Sequence, residues 1–209
     1  NDVMVELIVP KVENEIQVRE FPLLHESDPI LKKEPLTWIF DPPQADPNLM
    51  YSIMLENMVA HKGLGLSANQ IGMPVKVFAM RVTETDAIVC FNPKIITESD
   101  EMTRMKEGCL SFPQLFLNIS RPETIFVEYQ NAAGEEIKTN FEGLAARIFH
   151  HEMDHMEGKT FLDGVSKILL QSARRKQRIA LRKQQRVDDI IVTNSYNDVI
   201  EQQKFIRKN

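Results

Sequence analysis

His151-Glu152-Met153-Asp154-His155, inside the longer stretch from Gly143 to Met156, decides how this chain folds. Leu144, Ile148, His151, Glu152 and His155 recur at steps of three and four, so they fall on adjoining faces of one α-helix. The spacing predicts a core helix over about Gly143–Met156, with Asn140 or Phe141 near its start. Residues four apart stack on the same side, so His151 and His155 can bite one metal ion. Glu152, next to the first ligand, can reach a water on that ion. Ala145, Ile148 and Phe149 embed the string in apolar neighbours. Burying two imidazoles and a carboxylate without a metal or partners would be costly, which favours metal binding over an exposed polar helix face.

Outward from this helix, strand signals lie upstream at Val75–Met80, Ala87–Phe91, Lys94–Thr97, Thr124–Tyr129 and Glu136–Phe141, with a hairpin turn at Asn131–Gly134 between the last two. Asp46-Pro47 opens another helix, with Asp46 as N-cap and Pro47 at the first helical position. Its apolar side reads as Leu49, Ile53, Met54, Met58 and Val59. It stops near His61-Lys62, where Gly63 is free to take positive φ. A third helix is expected over Val165–Arg186, and beyond Asp188 the pattern fades into a loose tail. The fold class is therefore α+β: a mostly antiparallel sheet around a central metal-binding helix, with a C-terminal helix. Four segments follow: an extension over 1–19, a main domain over 20–164 that carries the metal-binding helix, a basic helix over 165–187 and a tail over 188–209.

The 209 residues suffice for one well-buried core; 43% are hydrophobic and 26% charged, as in ordinary globular proteins. No apolar run reaches the roughly 20 residues that span a bilayer, so no membrane partner is expected. Two cysteines are too few for a disulfide framework. The net charge of -5 is uneven: residues 165–187 hold eight basic side chains and no acid. A nucleic-acid-binding body is unsuited to the acidic remainder, whereas a basic appendage suits a polyanion.

A metal held by two histidines needs further ligands. No histidine follows His155, which weakens a peptidase reading with a downstream third ligand. Upstream lies Glu107-Gly108-Cys109-Leu110-Ser111, where a thiolate beside a glycine suits a borderline-soft divalent ion. Cys90, inside a strand, reads as a small buried hydrophobe. Gly63-Leu64-Gly65-Leu66-Ser67-Ala68-Asn69-Gln70 is a weak phosphate loop and, taken alone, reads better as a helix end followed by a strand.

Together and in this order, Gly63–Gln70, Glu107–Ser111 and His151–His155 resemble the three motifs of the peptide deformylase family, a similarity running from about Pro22 to about Lys167. The resemblance implies metal-dependent hydrolysis of the N-formyl group from the initiator methionine of nascent polypeptides. It implies Cys109, His151 and His155 as metal ligands, Glu152 as general acid and base, and Gln70 with the Leu110 N–H as oxyanion donors. Gly65 would face the formyl end of the substrate. Fe(II) is the implied native metal, with Zn, Ni or Co able to occupy the site. Leu64, Leu144 and Ile148, with Phe112, are the candidate methionine pocket, and Arg147 is placed at its rim. Arg121, Glu107 and Asp154 form a candidate charge group around the ligands, which a plain structural salt bridge explains equally well. Departures from the family pattern are Ser67 for Ala, His150 for Gln and Met156 for Leu; His150 reads as a surface or outer histidine. Implied partners are N-formyl-methionyl peptides, nascent chains and, through the basic helix, the ribosome. The implied location is the cytoplasm of a bacterium or phage-infected host, or an organelle. A peptidase and a non-catalytic metal-stabilised or ribosome-binding protein stay open as rival readings.

Overall fold

The structure, a computed structural model, describes residues 19–206, with side chains through Asp189 and at Ile191. The extension expected over 1–19 therefore lies, apart from Arg19, outside the described residues, as do residues 207–209 of the tail. Five strands form one antiparallel sheet in the order β1 (Gly65–Ser67), β2 (Val77–Arg81), β3 (Ala87–Glu98), β6 (Thr124–Gln130) and β7 (Glu136–Glu142). β4 (Met102–Cys109) and β5 (Phe112–Pro122) form a separate hairpin, and the helices are α1 (Pro47–Ala60), α2 (Gly143–Met156) and α3 (Lys167–Ile206).

Alternation along β2 shows how the layers stack, because successive strand side chains point to opposite faces. Val77 and Ala79 join Met50, Met54 and Met58 of α1 in one core. Phe78 and Met80 join Phe149 and Met156 of α2 in another. On its other side α2 meets the hairpin, whose Phe112, Leu115 and Leu117 pack with Phe161 and with Ala173 of α3. The α2 helix is thus clamped between sheet and hairpin. Phe149 is fully buried and meets Phe78 edge-on at 5.1 Å. Truncating such a residue to alanine costs about 3–5 kcal/mol.

The α2 bounds match the expected helix, although β7 extends to Glu142, so Asn140 and Phe141 lie in the strand. In α1 the Asp46 carboxylate accepts from the Asn48 N–H at 2.9 Å, as its N-cap role requires. The buried side of α1 is Met50, Met54 and Met58, while Leu49 and Val59 are exposed. The helix is apolar nearly all round, so spacing alone leaves its rotation unfixed. Lys62, at φ 56°, takes the left-handed position expected of Gly63. The two expected strands Ala87–Phe91 and Lys94–Thr97 are one strand with a bulge at Asn92-Pro93. Pro93 has no N–H to lose there, and the Asn92 side chain bonds Trp38 N, Trp38 O and Gln130 Oε1 at 2.8, 2.9 and 2.8 Å.

The hairpin β4–β5 is absent from the sequence reading. Its β5 half carries a period-two signal in Leu115, Leu117 and Ile119, but in β4 an inward position is Glu107, which hides the alternation. The third helix starts at Lys167 and continues to Ile206, through the stretch expected to be loose. No glycine or proline occurs after Gly164, and Gln184 and Gln185 donate to Asp188 and Asp189 one turn on, each at 2.8 Å. Among the described residues no helix is long and apolar enough to cross a membrane.

Candidate active site

Three chain segments converge where α2 faces the hairpin. The α2 helix presents His151 and His155, the end of β4 presents Cys109, and β1 with its following 3-10 turn presents Gly65, Ser67 and Gln70. The ligand atoms of Cys109, His151 and His155 all lie within 4.8 Å of one another. Cys109 Sγ and His155 Nε2 are 3.5 Å apart. Two donors ~2.3 Å (sulfur) and ~2.0 Å (nitrogen) from one tetrahedral ion sit at about this separation. His151 turns Nδ1 to Glu107 Oε2 at 3.1 Å, which leaves Nε2 for an ion. Burial, with His151 adding to it, pushes His155 down to about 3, so its imidazole is neutral and keeps a lone pair. One cysteine sulfur and two imidazole nitrogens are a fit set for a divalent metal, and among the described residues they are the one such cluster.

Behind His151 lies a buried ionic network. Glu107 accepts from Arg121 Nε at 2.7 Å and Nη2 at 2.9 Å, and from Arg147 Nη1 at 2.7 Å. Arg121 also donates to Asp154 at 2.8 Å, and Arg147 to the carbonyls of Ile119 and Thr103. Burial alone would raise the Glu107 pKa, but the bonds from Arg121, His151 and Arg147 outweigh it and hold the carboxylate well below its usual range. The expected group of Arg121, Glu107 and Asp154 is therefore joined by Arg147, which is 5% exposed and also contributes to the lining of the cavity described below. The signal was available: Arg147, His151 and His155 lie four apart on one side of α2. His150 is buried beside Glu98 at 3.7 Å and is not a surface residue. Burial first, then Arg121 and Arg147, lowers its pKa to about 4.

Glu152 is 3% exposed and accepts a 2.6 Å hydrogen bond from the Ser67 hydroxyl. Burial raises its pKa, against the opposing pull of His151 and Ser67. Gly65 explains itself here: a Cβ at that position would run into Glu152 Oε1 and lie 3.0 Å from Ile148 Cγ2. Ser67 also donates its N–H to Gln70 Oε1 at 2.9 Å. That bond turns Gln70 Nε2 toward Cys109 Sγ at 3.3 Å and Ser111 Oγ at 3.2 Å. The sequence marks Ser67 only as a departure from a family pattern; its double contact is a structural result. Asn69 was also missed, and its side chain donates to the His155 carbonyl at 3.2 Å.

These groups open on one cavity of about 560 Å³, lined in part by Leu64, Gly65, Leu110, Phe112, Leu144 and Ile148. Gln70, Cys109, His151 and Glu152 form part of its wall. Leu64 and Leu144 are more than half exposed within it, while Ile148 and Phe112 are buried. Every residue expected to hold metal, react or bind substrate is thus in one place.

The comparisons with known proteins agree with this geometry. A family model described as polypeptide deformylase matches residues 21–170. The peptide deformylase of Thermotoga maritima is 40% identical over 143 residues, covering 66% of this chain and 83% of that protein. A crystal structure of a peptide deformylase from Legionella pneumophila superposes with a TM-score of 0.70 at 30% identity, covering 80% of this chain and 99% of that one. A class I type b peptide deformylase from Acinetobacter baumannii, solved bound to Met-Ala-Ser, gives 0.66 at 28% identity over 71% of this chain and 99% of that one. The chain belongs to the peptide deformylase family, metal-dependent hydrolases that remove the N-formyl group from the initiator methionine of nascent chains.

Proposed function

We propose that Cys109, His151 and His155 hold one divalent ion, Fe(II) in the native enzyme with Zn, Ni or Co as substitutes, and that Glu152 performs the proton transfers. When bound, the ion supplies Lewis acidity, which makes water a nucleophile near neutral pH. Glu152 takes the proton from the attacking water and later delivers it to the leaving amine of methionine, so that formate and a free N-terminus result. The Ser67 hydroxyl fixes one oxygen of that carboxylate. Gln70 Nε2 and the Leu110 N–H meet the charge that develops on the formyl oxygen; losing one such donor typically costs ~10²–10³ in rate. Gly65 faces the formyl end, and Leu64, Leu144, Ile148 and Phe112 take the methionine side chain. Glu107, by accepting from His151 Nδ1, orients that ligand toward the ion.

The observation that carries this reading is the meeting of a thiolate-imidazole donor set, a buried carboxylate and an oriented amide on a single cavity. The relative bound to Met-Ala-Ser supports a substrate that starts with methionine. Metal-loaded protein given formyl-Met-Ala-Ser and acetyl-Met-Ala-Ser should release formate from the first and nothing from the second. Internal cleavage would favour a peptidase, and silence with metal bound would favour a non-catalytic protein.

The enzyme would work where chains begin with formyl-methionine: a bacterial cytoplasm, a phage-infected host or an organelle. On α3, Arg175, Lys176, Arg178, Arg182, Lys183 and Arg186 are exposed, which suits a contact with ribosomal RNA. Arg174 is instead engaged by Glu26 at 2.8 and 2.9 Å. Cosedimentation with ribosomes should be lost on deletion of 174–209, and its survival would end this idea.

A further inference from the structure

The catalytic cavity does not end at the metal ligands. Lys106, Gln114 and Phe116 line it and also line a second cleft of about 410 Å³ between the hairpin and α3, whose far wall includes Ala173 and Lys176. Among the described residues, Lys106 and Lys176 are the charged side chains of this cleft, and no acid lines it. Phe116 pairs with Gly108 across the hairpin, and its ring lies so close over that glycine that a Cβ there would sit 2.6 Å from Cε1. The ring is 48% exposed and carries the Lys106 ammonium 4.5 Å from its centre, a cation–π contact that fixes the charge above the cleft floor. Gln114, at the junction of the two cavities, has φ 60°, an uncommon conformation for a non-glycine residue.

We propose that this cleft carries the downstream residues of the substrate chain and selects acidic side chains there. The inference rests on the hydrolytic reading above. Only the first residue of a formylated chain reacts, so the rest must leave the cavity, and Lys106, Gln114 and Phe116 make the cleft continuous with it. Lys106 precedes Cys109 by three strand residues, about 10 Å at ~3.3 Å per residue. An extended peptide with its formyl group at the metal therefore brings its third or fourth residue beside Lys106, with Lys176 beyond it. Among the described residues of the cleft, an Asp or Glu at those positions faces two cations and no anion.

The test compares formyl-Met-Ala-Glu-Glu-amide with formyl-Met-Ala-Gln-Gln-amide at low salt. Wild-type protein should show kcat/KM about fivefold higher for the acidic peptide, mainly through KM, as expected of one or two solvent-exposed charge pairs. The preference should fade with added salt. In Lys106→Glu/Lys176→Glu the ratio of the two peptides should invert; because both are measured in one protein, any common loss cancels. The single variant Lys176→Glu, on the exposed helix, gives a ratio near one even where the double variant folds poorly. A wild-type ratio near one, or a ratio untouched by Lys176→Glu, overturns the proposal. Hydrolysis of formyl-Met-Ala-amide by wild-type protein reports the hydrolytic reading separately: its absence sinks that reading whatever the cleft does.

Discussion

Glu107 is the residue on which metal geometry and fold stability depend together, so Glu107→Ala should move both. Its carboxylate accepts from Arg121 twice and Arg147 once, and faces His151 Nδ1. Alanine would leave two guanidinium groups, with side chains 11% and 5% exposed, short of their main anion. Breaking a buried pair by removing one partner costs about 3–5 kcal/mol. Arg121 keeps Asp154, and Arg147 keeps two carbonyls, which argues for the lower end. At about 2–4 °C per kcal/mol for a protein this size, the Tm of the metal-free protein should fall by about 6–12 °C. Loss of the His151 support should separately weaken metal binding by about 10–100-fold, read by competition with a chromophoric chelator. The sign of the pH dependence follows from the depressed Glu107 pKa. A depressed folded pKa gives stability that is full above the unfolded value of about 4.3 and lost as pH falls below it. The gap between wild type and variant should therefore be constant near neutrality and shrink in acid. A metal-free Tm within 2 °C of wild type, or unchanged metal affinity, would refute the role assigned to this network.

Two further substitutions separate the parts of the site. Ser67→Ala removes the hydroxyl on Glu152 but keeps the N–H that holds Gln70. A hydrogen bond to a charged group is worth about 1.5–3 kcal/mol, so kcat should drop roughly 10–100-fold with metal content unchanged, and a kcat within twofold of wild type would remove Ser67 from the machinery. Gly65→Ala forces a methyl into the Glu152 carboxylate. Displacing a reacting group by ~1 Å can cost 10²-fold, so formate release should fall by about that factor while bound metal, measured by emission spectroscopy, stays at wild-type level; retained activity would mean the carboxylate can move freely.

Much of this site was legible because its chemistry sits on a helix. The i, i+4 spacing of His151 and His155 fixes their shared direction without reference to the rest of the chain, and α2 has the bounds that spacing predicts. Cys109 could be singled out by residue type and by its glycine neighbour, but its distance from the histidines depends on β4–β5. That hairpin was missed because Glu107, an inward charge, breaks the apolar alternation, and its partners Arg121, Arg147 and His151 come from distant positions. Ser67 carries no signal of its bond to Glu152, 85 residues away. The rotation of α1 was read only in part for the opposite reason: Ile53, Met54 and Met58 meet the core as expected, but an excess of apolar residues leaves the phase weakly set, and Leu49 and Val59 are exposed. Long-range pairing and nearly uniform hydrophobicity are the two circumstances in which local pattern says least.

The central claim is that Glu152 moves the proton while other residues hold the metal. Formate release per bound ion by Glu152→Gln tests it most directly. The substitution keeps the shape of the side chain and leaves Cys109, His151 and His155 in place. One ion per chain with turnover reduced by about 10²–10⁴ is the expected result. Wild-type turnover from that variant would contradict the claim, and so would loss of the ion.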